Sequence, residues 1–158
     1  MSGDAVVPSL LALLIGIVAG LRAMTAPAAV SWAARLGKLN LSGTWLAFLG
    51  HAWTPWILTL LAVVELVTDQ LPSTPSRTVP VQFGTRILMG AACGAALTAG
   101  AGSMLLGAVV GIAGAVAGTL GGRALRARLA AAFGRDRPAA LLEDAIAIGA
   151  AFAVVLAS

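Results

Sequence analysis

Glu65 and Asp69 stand four residues apart in LLAVVELVTDQLPSTPSRT, residues 60–78. On a helix this spacing puts both carboxylates on one face. A second acidic pair, Glu143 and Asp144, sits in LLEDAIAIG, residues 141–149. Carboxylates in apolar surroundings bind a proton or a cation, or they pair with arginine. Arg22 and Arg86 are the matching guanidinium groups, the first within an apolar run and the second at the start of one. They can balance those charges or meet an anionic group. Between two prolines and just beyond, Ser73, Thr74, Ser76 and Arg77 supply three hydroxyls and a cation. That loop is either an anion or headgroup contact or a rigid connector.

The rest of the chain dictates where such groups must lie. Of 158 residues, 59% are apolar and 10% charged, with a mean hydropathy of +0.98. Soluble domains carry about 25% charged residues. Residues 23–34, 39–64, 87–122 and 145–158 hold no Asp, Glu, Lys or Arg. Runs of about 18 such residues span bilayers, so the expected class is an all-α, polytopic membrane helical bundle. A net charge of +4 could suggest nucleic acid. The cations lie mostly in links between apolar runs, however, so the bilayer and its anionic lipids are the expected partners and nucleic acid is not. The first residues carry Asp4 and no leading cation, so they read as a retained span rather than a secretion signal.

Residues 5–34 would make about 45 Å of helix against a core of about 30 Å. The sequence predicts a first span to about Met24, a break at Pro27, and a short helix over 27–36 that is re-entrant or interfacial. Trp32, Trp45, Trp53 and Trp56 mark one membrane face. Thr54 reads as an N-cap for a helix from Pro55 to about Leu71. Helices over 83–99 and 103–122 flank a tight hairpin at residues 100–103, an arginine-rich surface stretch follows, and a last helix runs from Pro138 to about Ala157. About five spans result, with a broken first segment, the N-terminus inside and the C-terminus outside.

An internal echo joins SLLALLIGIVAG from Ser9 to SMLLGAVVGIAG from Ser103, and LLAVVEL to PAALLED. Halves at 5–72 and 103–158, joined by a helix at 83–99 within the single domain 1–158, would form an inverted repeat of the transporter kind. Chance similarity between Ala/Gly-rich helices is the competing explanation.

Helical rise places Glu65 about 15 Å into its helix, near the midplane, Asp69 about 21 Å in, and Glu143 about 8 Å from the opposite start. Arg22 is about 25 Å along the first helix. An ionisable residue there costs about 2.5–3.5 kcal/mol to insert, so these groups must face protein or water. One reading is a polar pathway, with Glu65, Asp69, Glu143 and Asp144 binding a cation or proton and Arg22 and Arg86 balancing them. The other is a set of ion pairs that locks the helices together.

The remaining residues support less. One Cys and one His leave no metal cluster and no disulfide framework. Gly118 to Gly122 lacks the lysine of a phosphate loop, so no cofactor is expected. No nucleophile, base and orienting group share a recognisable spacing, so no catalytic residue is assigned. Gly90 with Gly94 and Gly107 with Gly111 read as close helix contacts.

GLRAMTAPAAVSWAARLG, ELVTDQLPSTPSRT, RILMGAACGAAL and LLEDAIAIG together resemble the small bacterial membrane proteins grouped as Domain of Unknown Function 4126. Many members carry a histidine-containing segment where this chain has Val79-Pro80-Val81-Gln82-Phe83, so no role of that histidine transfers. The resemblance implies a multi-pass protein of the bacterial inner membrane and supplies no substrate. The expected function is a small-solute or ion transporter or channel that uses intramembrane carboxylates, as a homodimer. The alternative is a membrane scaffold or a lipid-handling protein.

Overall fold

The computed structural model describes residues 3–71 and 76–158. Among these are six α-helices and no strand: α1 Gly3–Leu21, α2 Thr25–Arg35, α3 Thr54–Thr68, α4 Pro80–Thr98, α5 Met104–Phe133 and α6 Asp136–Ala157. Two helices, α5 and α6, are long and apolar enough to cross a membrane, while Val6–Leu21 and Thr54–Thr68 are shorter apolar helices.

The centre of the bundle is made by α1, α4 and α5, which pack most extensively on one another. Glycine permits this. Gly94 lies against the Gly107 carbonyl and Gly111 against that of Gly90, while Gly16 and Gly20 on α1 abut Gly111 and Ala115. A Cβ at any of these positions would overlap backbone atoms. The small-residue spacing therefore marks close helix contact, as expected. Cys93, Ile15 and Val18 fill the remaining core.

Around this centre, α2 packs on α3 and α6. Trp32 meets Trp56 edge to face at 5.0 Å between centroids, and its Nε1–H donates to Thr59 Oγ1 at 3.0 Å. Trp45, Trp53 and Trp56 are exposed at the same end of the bundle, as is His51.

Several boundaries differ from the sequence reading. The first helix ends at Leu21, and Pro27 lies within the first turn of α2, where a missing N–H disturbs no helical bond. Thr54 does not cap α3; its hydroxyl donates to the Phe48 carbonyl at 2.7 Å, and α3 ends at Thr68 rather than Leu71. The hairpin at residues 99–102 closes through Gly102 at φ 67°, which glycine adopts without strain. The arginine-rich stretch continues α5 without interruption to Phe133, about 45 Å of helix. Gly134 at φ 66° then ends it, and α6 starts at Asp136.

The direction of α2 changes the topology. Met24 meets Glu65 and Trp32 meets Thr59, so α2 runs antiparallel to α3. It turns back beside α3 rather than extending α1. All six helices thus alternate in direction, and α1 starts at the same end where α6 finishes, whereas the sequence reading put those points on opposite faces. Leu11 and Ala157 accordingly line one crevice. The echoing segments in α1 and α5 run parallel, since Gly16 meets Gly111 and Gly20 meets Ala115 and Thr119. An inverted repeat would oppose them.

Candidate functional site

Helices α1 and α2 are separated by Arg22, Ala23 and Met24, and this break creates unpaired backbone groups at both helix ends. Two charged side chains satisfy them. Arg86 Nη1 donates to the carbonyls of Gly20 and Leu21 at 2.9 and 2.7 Å, capping α1. Thr119 Oγ1 adds a bond to the Gly20 carbonyl at 3.2 Å. Glu65 accepts the amide of Ala23 on one oxygen at 2.8 Å and that of Met24 on the other at 2.9 Å. Each charge also opposes the dipole of the helix end it meets. Arg86 and Glu65 complete the arrangement as an ion pair at 3.6 Å.

Arg22 starts in the break and is fully buried. Its guanidinium pairs with Asp69, at the end of α3, and with Asp144 on α6. Gln70 Nε2 donates to the second oxygen of Asp144 at 3.2 Å. Beside them, Arg77 holds Glu143 through two bonds, Nη2 lying 2.6 Å from Oε2. Arg126 reaches Glu143 at 3.8 Å and grips Asp136 through Nε and Nη2 at 2.9 and 2.5 Å. All six helices thus contribute to or adjoin this cluster of charges, α2 through the Met24 amide at its start.

Sequence reasoning singled out Arg22, Glu65, Asp69, Arg77, Arg86, Glu143 and Asp144, and the structure brings all seven together. The expected placement of Arg22, Asp69, Arg86 and Glu143 toward one set of helix ends is the one observed, and Glu65, expected nearer the middle, joins them. Glu65 lies in the last turn of α3 and Arg86 about 9 Å into α4, so the network is near one end of the bundle rather than at its middle. Ser76 bonds to the Thr78 hydroxyl at 3.0 Å and lines the cavity described next. Ser73 and Thr74 lie outside the described residues. Gln70 and Asp136 were missed, and Arg126 was read only as part of the arginine-rich surface stretch. The Gly134 turn, which folds Asp136 back beside Arg126, was the available signal.

An open cavity of about 790 Å³ adjoins the network. Six arginines line it: Arg77, Arg86, Arg123, Arg126, Arg135 and Arg137. Only Asp69 and Asp136 among its lining residues are acidic. Arg86 and Asp69 belong both to this wall and to the charge network, so the cavity reaches the buried groups from outside. A second hollow, about 550 Å³, lies between α3 and α4 and extends to Glu65. Among the described residues, no three His, Cys, Asp or Glu side chains gather as a metal site.

No curated protein and no solved structure matches the chain. A family model described as a domain of unknown function (DUF4126) matches residues 10–157, nearly the whole chain. The match takes in both halves of the break, the cavity and every residue of the charge network, and the chain therefore belongs to the DUF4126 family, a domain of unknown function.

Proposed function

We propose that this chain is a multi-pass membrane protein that binds a small anionic solute or ion in the arginine-lined cavity and moves it across the bilayer. The observation that carries the reading is the shared wall: Arg86 and Asp69 face the cavity and belong to the buried network. An entering anion could therefore draw on Arg86 and release Glu65 or the break it caps. An anion is favoured over a cation because Glu65, Asp69, Glu143 and Asp144 are already engaged by arginine or backbone, while the open wall is predominantly cationic. By the positive-inside bias the arginine end would face the cytoplasm of an inner membrane, and the role needs no catalytic residue.

The second reading is a membrane scaffold. It is favoured by the double capping of the α1/α2 break, which by itself accounts for Glu65 and Arg86 as structural groups.

Vesicles containing the purified protein separate the two. Under transport, inorganic phosphate or a fluorescent short-chain lipid phosphate crosses in proportion to protein, and replacing both exposed arginines in R135Q/R137Q slows it. No movement of either probe, with the protein folded, supports the scaffold.

A further inference from the structure

We infer that the cavity takes the phosphate head of a lipid phosphomonoester while its chains lie in the groove between α3 and α4; this rests on the anion-binding reading above. Charge supports the head. Counting only the cavity wall and the ion pairs behind it, Arg22, Arg77, Arg86, Arg123, Arg126, Arg135 and Arg137 meet Glu65, Asp69, Asp136, Glu143 and Asp144, leaving two positive charges. Arg123, Arg135 and Arg137 have no carboxylate at ion-pair distance among the described residues. Arg86 is 1% exposed, and its Nε has no hydrogen-bond partner. Guanidinium groups fork onto phosphate oxygens, and a phosphomonoester carries about −1.5 to −2 at neutral pH. Such a head matches the excess; a zwitterionic head brings its own cation and does not.

The groove supports the chains. Helices α3 and α4 form no extensive contact, and the hollow between them shares Asp69, Leu71 and Gln82 with the arginine cavity. Away from those shared residues Leu61, Val64 and Val81, all exposed, form its apolar wall, while Glu65, Thr68 and Thr85 contribute polar groups. A soluble anion would use the cationic cavity alone. An amphiphile uses both, and it explains why apolar side chains border the path to Glu65.

The test is equilibrium binding to the detergent-purified full chain, with dioctanoyl phosphatidic acid, dioctanoyl phosphatidylcholine and inorganic phosphate as probes. Phosphatidic acid should bind at least about tenfold more tightly than phosphatidylcholine, which loses a charged hydrogen bond, and than phosphate, which lacks the chains and their apolar burial. R135Q/R137Q should weaken it about tenfold. Val64→Trp, which fills the groove, should weaken phosphatidic acid and leave phosphate unchanged. Both changes are at exposed positions, and an unaltered helical spectrum reports folding. Phosphate binding as tightly as phosphatidic acid, with Val64→Trp neutral, would overturn the lipid assignment while leaving the anion reading intact. If no probe binds, or R135Q/R137Q changes nothing, both are overturned.

Discussion

Glu65 and Arg86 face each other 3.6 Å apart across the gap between α1 and α2, each holding the backbone of a different helix end. Arg86 accepts the role that further carbonyl–amide bonds would have filled at the end of α1, and Glu65 does the same for the amides entering α2. The pair therefore stabilises a turn as well as its own charges. Arg86→Met should cost about 3–5 kcal/mol, the range for leaving one buried charge unpaired. Glu65→Gln keeps one amide acceptor and should cost about 1–3 kcal/mol. Unfolding in detergent, followed by helical signal, measures both.

Arg77 and Glu143 are held by two bonds in a nearly dry setting, with side chains 11% and 4% exposed. A double-mutant cycle of Arg77→Gln with Glu143→Gln should give a coupling of about 1–3 kcal/mol, as for contacting residues in one network. The cycle of Arg126→Gln with Asp136→Asn should give less, about 1 kcal/mol or below, because Asp136 is 60% exposed.

Glycine at the helix contacts should be irreplaceable, in contrast to glycine in open space. Gly94→Ala drives a methyl into the Gly107 carbonyl and should destabilise by about 1–3 kcal/mol. Gly121→Ala and Gly149→Ala meet nothing within 4 Å and should stabilise their helices by up to about 1 kcal/mol. Thermal unfolding of the three variants ranks them.

The grouping of charges was legible in the sequence because Arg22, Glu65, Asp69 and Arg86 interrupt or border apolar runs where no lone charge is tolerated. The helix contacts were legible from glycine spacing. The direction of α2 was left open between a re-entrant and an interfacial helix, because apolar patterning does not separate the two. Pro27 drew the break five residues late, since proline marks a first helical turn as readily as a helix end. The arginines after residue 122 suggested a surface stretch, yet their backbone continues α5; exposed arginine is a good helix former, and Gly134 supplied the actual stop. Glu65 lies about as far along its helix as residue counting gave; it falls in the last turn because α3 stops at Thr68 rather than Leu71.

The alternating topology makes its own forecast. Single cysteines at Trp45 and Gly100, both at the end opposite the arginines, should react with an impermeant thiol reagent from one side of an oriented vesicle. Cysteines at Ser76 and Arg135 should react from the other. Cys93 is buried and should remain silent throughout. Labelling of Gly100→Cys and Arg135→Cys from one side would contradict a bundle that crosses the bilayer.

The most direct measurement is transbilayer movement of phosphate and of fluorescent short-chain phosphatidic acid in vesicles bearing wild-type protein or R135Q/R137Q, matched for amount and for unfolding temperature. The cavity account predicts movement above empty vesicles for at least one probe with the wild-type chain, and about a tenfold reduction in the double variant. Wild-type vesicles indistinguishable from empty ones, or a double variant as fast as wild type, would contradict it.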